Sequence, residues 1–253
     1  MKISHRVWRV FMRNLTVFKK NWLANVMFNF IEPLLYLGAM GFGLGVFVED
    51  IDGLPYINWM APGLIATSAM WAAALECTYD SYMRMSYQKT YHAIIATPVS
   101  LEEVVVGEML FGTFKSLLYG LIIIIVISAL GLVPSLWVLL VPPVLILEGL
   151  AVAGLSITWT GIVSDVDAFG FFFTLVVTPM FLFSGVFFPL DALPALVQII
   201  AWFMPLYHVV ELTRSLTLGE VEPSLVYNVL WLVVFIAILF KIPLYLMRRR
   251  LID

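Results

Sequence analysis

Six runs in this chain are each long and apolar enough to cross a bilayer, at roughly residues 26–48, 57–78, 105–131, 136–163, 168–188 and 225–247. A spanning helix needs about 20 mostly apolar residues, because a backbone in hydrocarbon must satisfy its hydrogen bonds internally. Composition agrees: the chain is 62% apolar and 12% charged, whereas soluble domains run at about 45–50% and about 25%. The expected fold class is therefore an all-α polytopic membrane protein. The first apolar run starts near Val26 behind six basic residues. It is too long for the apolar part of a cleavable signal, so no such signal is expected.

The Lys and Arg residues orient the spans. Lys2, Arg6, Arg9, Arg13, Lys19 and Lys20 precede the first; Arg84 and Lys89 lie between the second and third; Arg214 lies between the fifth and sixth; Lys241, Arg248, Arg249 and Arg250 close the chain. The loops at 49–56 and 132–135 carry no basic residue. Basic residues stay on the cytoplasmic side, so both termini and the 79–104 loop are expected there. Residues 195–210 are apolar enough to tempt a seventh span, but they are short and Pro205 interrupts them. A seventh crossing would also place Arg248, Arg249 and Arg250 outside. Residues 189–222 are therefore expected to turn back on the outer side, with one or two short helices dipping into the bilayer. Pro189, Pro194 and Pro205 end, start or kink those helices, and Asp191 caps the first. A Leu-rich turn with no structured dip is the alternative.

Between residues 2 and 22, Ile3, Val7, Val10, Phe11, Phe18 and Trp22 share one helical face, while Lys2, Arg6, Arg9, Arg13 and Lys20 cluster opposite. This pattern predicts a basic amphipathic helix lying in the cytoplasmic interface; a disordered basic lead-in is the alternative. The 79–104 loop opens with aromatic, Met-rich and mildly basic residues, including Tyr82, Met83, Arg84, Tyr87, Gln88, Lys89, Tyr91 and His92. Such side chains suit a protein-docking surface, and equally a helix resting on lipid headgroups. Ser100 and Glu103 then form a capping box that starts the third span near Leu101.

Ionisable residues inside a bilayer are costly and need a reason. Glu32 precedes Pro33 in the first run, where local irregularity of the helix is expected. Glu148 sits in the middle of the fourth. Lys115 lies two or three turns into the third, which could bring it level with Glu148; the two pair, or Glu148 lines a polar substrate groove, or Lys115 snorkels to the interface while Glu148 stays protonated or bonds a hydroxyl. Glu76, Asp80 and Glu108 fall near cytoplasmic ends, where an interfacial position is sufficient explanation. Gly41 and Gly45 are four apart and permit close helix contact. Cys77 is the only cysteine, so no intrachain disulfide forms.

Several chemistries are absent. No glycine precedes a lysine, so there is no phosphate-binding loop of the Gly-Lys-Ser/Thr kind. His5, His92 and His208 are scattered, and no metal cluster is expected. No inverted repeat is evident, which weakens a secondary-carrier reading. If this chain moves a solute, the energy comes from a partner. An ion-coupled carrier using Glu32 and Glu148, or a membrane enzyme acting on lipids, are the alternatives.

The stretches "LYLGAMGFGLG" at 35–45, "ATPVSLEEVVVGEML" at 96–110, "FLFSGVFFPLDALP" at 181–194 and "MPLYHVVELTRSLTLG" at 204–219 resemble the permease subunits of type-2 ABC exporters, and among them the nodulation-type lipooligosaccharide exporters. The resemblance implies one transmembrane domain over 1–253: an interfacial helix at 1–25, two spans at 26–78, a coupling segment at 79–100, three spans at 101–188, a re-entrant outer-side segment at 189–224 with Glu211 and Arg214 in it, and a last span with a basic cytoplasmic tail at 225–253. It implies a homodimer with two separate ATPase subunits in a bacterial inner membrane. ATP and Mg would be bound by those subunits and no cofactor by this chain. The implied substrate is amphiphilic: a lipooligosaccharide, a polysaccharide or a hydrophobic drug. No nucleic-acid partner is expected.

Overall fold

The computed structural model of the chain describes residues 4–252 and, within them, all side chains but those at 24, 25 and 28–30. Each regular element among the described residues is helical. In chain order they are α1 (Val7–Lys20), α2 (Trp22–Tyr36, continued by wider π-type turns over Leu37–Gly43), α3 (Tyr56–Leu75), α4 (Thr90–Ile95), α5 (Leu101–Ala129), α6 (Val141–Ile162, entered through a 3₁₀ turn at Leu136–Leu140), α7 (Val166–Phe183), α8 (Ala195–Trp202), α9 (Pro205–Leu218) and α10 (Leu225–Leu251).

Among the described residues, four helices are long and apolar enough on their own to cross a membrane: α5, α6 with its entry turn, α7 and α10. Helices α8 and α9 pass together but meet at 87°, which raises the number to five if they count as one span. The remaining two expected spans differ in kind. The apolar part of the first is a shorter helix, Ile31–Val46. The second, α3, has twenty residues of which sixteen are buried, packed among α5, α6, α9 and the wide turns after α2. A helix walled in by protein need not be uniformly apolar. Its alanines and its Thr67 and Ser68 let neighbours approach closely, as small residues do in membrane bundles. Gly41 works the same way from the other side. A Cβ there would lie 2.8 Å from Ile57 Cγ1, so the glycine lets α2 pack on the start of α3. The α-helix runs unbroken through Glu32 and Pro33 to Tyr36, so the irregularity expected there is not seen at the proline; the π-type turns start only afterwards, at Leu37.

Helix α1 forms where the apolar spacing predicts, but it docks on protein rather than resting its apolar face in lipid. Val7, Val10 and Phe11 are buried against α5, and the Phe11 and Phe18 rings meet Phe111 and Phe114 edge-on at 5.8–6.3 Å. Trp22 is exposed, and Lys2 and Ile3 lie outside the described residues. Lys19 and Lys20 occupy the last turn, where cations complement the helix dipole.

After α7 the chain bends through 184–189 and makes a 3₁₀ turn at Leu190–Ala192. Pro189 and Pro194 hold the positions just before that turn and before α8. The expected cap by Asp191 is not formed. Pro194 is the cap residue and Asp191, exposed, stands three positions too early; Gln198 instead donates back to the Leu193 carbonyl at 2.8 Å. Pro205 opens α9 in the first turn, where its missing N–H leaves no bond unmade. Arg214 then ties α9 down. It donates to the carbonyls of Trp59 (3.2 Å) and Gly185 (2.5 Å), stacks 3.9 Å over the Trp59 ring, and faces Glu211 at 3.5 Å. His208 bonds Asn228 in the first turn of α10 at 2.8 Å. Gly219 abuts Ser135, just before the entry turn of α6. Both ends of α9 thus sit where α3, α6 and α10 begin and α7 ends.

Candidate functional site: a charged knot under the 79–97 segment

At the opposite end of the bundle, α3 runs on past Leu75. Two π-type stretches, Glu76–Asp80 and Met83–Tyr87, carry it to Gln88. A π turn spans one residue more than an α turn, so each stretch rotates the following side chains off the face that ordinary helical spacing would give them. Lys89, with φ of 53°, reverses the chain into α4. Ser100 and Glu103 then form the capping box expected of them, and α5 starts at Leu101.

The rotation divides the eight residues that sequence assigns to docking. Met83, Tyr87, Gln88, Lys89 and His92 are exposed. Tyr82, Arg84 and Tyr91 turn inward. The Tyr82 hydroxyl donates to the Ser164 carbonyl between α6 and α7, and the Tyr91 and Ser81 hydroxyls share a hydrogen bond at 2.5 Å. Burial, with the Glu108 carboxylate nearby, holds the Tyr91 phenol well above its ordinary range.

Arg84 is the centre of the arrangement. Its Nη2 contacts Glu76 Oε1 and Glu108 Oε2, each at 2.5 Å, and its Nε donates to Glu108 Oε2 at 3.1 Å. Both carboxylates are about 1% exposed. Glu108 Oε1 accepts from the Asn14 amide at 2.9 Å, which brings in α1. On the far side Glu76 Oε2 pairs with Lys115, whose Nζ also lies 3.4 Å from Asp80. Charges therefore alternate in sequence: Glu108, Arg84, Glu76, Lys115, Asp80. Burial disfavours the Arg84 cation, but Glu108 and Glu76 outweigh it and hold the guanidinium above its ordinary value. One buried side chain so links the 79–97 segment to α1, α3 and α5.

Lys115 and Glu148 do not pair. Lys115 turns to the acidic end of α3 and stays buried instead of snorkelling. Both oxygens of Glu148 are buried without a hydrogen-bond partner among the described residues. Glu32 is exposed and borders a shallow recess with Tyr36, Thr67, Ser68, Trp71 and Phe181. Pro189, Asp191, Pro194, Pro205, Glu211 and Arg214, expected on the outer side, lie at the other end of the bundle. No group of three His, Cys, Asp or Glu residues able to hold a metal occurs among the described residues.

Sequence reasoning leaves Asn14 out of the site and treats Glu76 and Glu108 as interfacial. A signal for them exists: Glu76 and Asp80 are four apart where the second apolar run ends, and Glu108 and Lys115 seven apart on α5, so ordinary helical spacing puts each pair on one face near the same bundle end. Beside the knot, α1, the end of α3 and α5 enclose a recess of about 260 Å³ bordered by Arg13, Asn14, Phe18, Asp80, Gln88 and Lys115 among others.

Comparison with known proteins agrees along nearly the whole chain. Residues 5–218 match the ABC-2 type transporter family. The chain is 40% identical to Nodulation protein J of Rhizobium leguminosarum bv. viciae over 97% of its own length and 93% of that protein. It is 36% identical to Nodulation protein J of Rhizobium meliloti (strain 1021) over 98% and 93%. Over 92% and 90% it is 25% identical to the inner membrane transport permease YadH of Escherichia coli (strain K12).

Proposed function

As the chain belongs to the ABC-2 type transporter family and is the transmembrane subunit of an ABC transporter, we propose that it drives export of an amphiphile by converting ATP-dependent movement of partner ATPases into movement of its own helices. The observation that carries this is Arg84. The exposed residues Met83, Tyr87, Gln88, Lys89 and His92 offer the ATPase a contact surface rich in the residue types of interfaces. Directly behind them, Arg84 joins that surface to α3, α5 and α1 through buried carboxylates. A push on the segment has no soft layer to dissipate it. This chain carries no ATP site of its own; ATP and Mg belong to the partner, and two copies of each subunit make the working assembly.

In this reading the chain has six spans, with α2 and α3 crossing as the first two, and both termini in the cytoplasm. Helices α8 and α9 form a re-entrant pair on the outer side, supported by the contacts of Arg214, His208 and Gly219 with the ends of α3, α7, α6 and α10. The membrane is a bacterial inner membrane, in line with the printed name of the Escherichia coli relative. The substrate is an amphiphile of the lipooligosaccharide, polysaccharide or hydrophobic-drug kind. The test is co-purification of the chain with the ATPase encoded beside it and measurement of vanadate-sensitive ATP hydrolysis. Association that survives disruption of Met83, Tyr87 and His92, or the lack of any ATPase partner, contradicts the proposal.

A further inference from the structure

We propose that the recess between α1, the end of α3 and α5 binds the headgroup of a phospholipid that carries both a phosphate and a primary ammonium. The charge pattern of the knot leads there. Along the row Glu108, Arg84, Glu76, Lys115, Asp80, every cation sits between two carboxylates. The row holds three acids and two bases, so one negative charge is left over. It ends at Asp80, whose side chain is 52% exposed and so open to a ligand. On the other flank is Arg13. Its described hydrogen-bond partners are neutral, the Asn14 side-chain oxygen at 2.9 Å and the Thr90 hydroxyl at 3.5 Å, while the Glu108 carboxylate, already bonded to Arg84, acts on it only through space. Burial lowers the Arg13 pKa, the mark of a guanidinium partly stripped of water. Arg13 and Asp80 both border the same recess of about 260 Å³, where Asn14 and Gln88 add amide hydrogen-bonding groups and the already paired Glu76, Arg84 and Lys115 complete the charged lining.

One carboxylate and one guanidinium with spare bonding capacity complement a zwitterion. A guanidinium grips a phosphate through two parallel N–H bonds. A carboxylate accepts hydrogen bonds from a primary ammonium, which a quaternary ammonium cannot donate. A purely anionic headgroup gains at Arg13 but meets repulsion at Asp80. The depth fits a lipid rather than a soluble ligand. Trp8, Met12, Val17 and Trp22 are exposed on or just after α1, and such aromatic side chains sit at the headgroup level of a bilayer. That depth rests on the cytoplasmic placement of α1 proposed above.

The full chain, delipidated and reconstituted into nanodiscs of phosphatidylcholine doped with either phosphatidylethanolamine or phosphatidylglycerol, tests this by native mass spectrometry of the retained lipid. The ATPase is left out, so the outcome does not depend on the export reading. Selective retention of phosphatidylethanolamine, reduced about tenfold in Arg13→Gln and in Asp80→Asn and partly kept in Arg13→Lys and Asp80→Glu, is the expected result; tenfold corresponds to about 1.4 kcal/mol. The melting midpoint of each variant is taken alongside, and the conservative pair keeps the test open if a neutral variant unfolds. Equal retention of phosphatidylglycerol or phosphatidylcholine overturns the proposal. So does unchanged retention in the Gln and Asn variants, or displacement of the lipid by soluble glycerophosphoethanolamine at submillimolar concentration.

Discussion

Replacing Arg84 by alanine removes the one cation shared by Glu76 and Glu108. The two carboxylates are not stranded equally. Glu76 keeps Lys115, whereas Glu108 keeps, among the described residues, the hydrogen bond from the Asn14 amide and the longer-range attraction of Arg13. At about 1% exposure Glu108 has almost no water to turn to. Breaking a buried ion pair by deleting one partner costs about 3–5 kcal/mol, because the remaining charge is left uncompensated. For a domain of roughly this size that lowers a melting midpoint by about 6–20 °C. The assay is thermal unfolding of the purified chain in detergent. The charge balance also predicts a rescue. Adding Glu108→Gln to Arg84→Ala removes the stranded charge while keeping a hydrogen-bonding group toward Asn14, and recovers more than half of the loss. Arg84→Lys falls between, since one ammonium does not span both carboxylates as the guanidinium fork does. A loss below about 1 kcal/mol for Arg84→Ala, or a double variant no more stable than the single, refutes the reasoning that Arg84 is held by these two charges.

Tyr87→Ala combined with Met83→Ala weakens association with the ATPase about tenfold, a loss of about 1.4 kcal/mol, and leaves the melting midpoint unchanged, because both side chains are exposed. Tyr91→Phe does the reverse: it loses the buried bond to Ser81, costs about 0.5–1.5 kcal/mol of stability and leaves ATPase affinity alone, as a pull-down beside a melting curve would register. Gly112→Ala puts a Cβ 2.4 Å from Cys77 Sγ, so it destabilises by about 1–3 kcal/mol through overpacking, and adding Cys77→Ala relieves most of it. Desolvation at the lip of the recess, reinforced by Glu76 and opposed by Lys115 and Arg84, lifts Asp80 to about 6 from 3.8; the folded state then holds the proton more tightly than the unfolded one, so Asp80 makes stability fall as pH rises from about 4 to about 6, and Asp80→Asn flattens that part of a melting-versus-pH profile.

Several features of this fold are legible residue by residue. Ser100 and Glu103 announce the start of α5 because a capping box is a local device, complete within four residues. Pro205 announces the break between α8 and α9 for the same reason. The Gly41 and Gly45 spacing announces a close helix contact, though not that its partners are Ile57 and Tyr56. What is not legible depends on rotation and on partners distant in sequence. The π-type stretches at Glu76–Asp80 and Met83–Tyr87 leave no mark in hydrophobic spacing, yet they decide that Tyr82, Arg84 and Tyr91 face inward while Tyr87 and His92 face out. Span position alone leaves Glu148 open as a partner for Lys115, but the face of α5 on which Lys115 stands gives it to Glu76. The apolar stripe of α1 holds for Val7, Val10, Phe11 and Phe18 but not for the exposed Trp22, and only the facing aromatics Phe111 and Phe114 show that it meets protein. Asp191 fails as a cap because the helix begins one turn later than the proline before it suggests.

The most direct test of the coupling role given to Arg84 is the ratio of substrate moved to ATP hydrolysed by the reconstituted complex in proteoliposomes. It is measured for the wild type and for the Arg84→Ala, Glu108→Gln variant, in which no charge is stranded. The expected result is a complex that still assembles and hydrolyses ATP while its transport per ATP falls at least about tenfold, the loss of about 1.4 kcal/mol of coupling. A variant that transports as much per ATP as the wild type would contradict the claim that the push passes through Arg84.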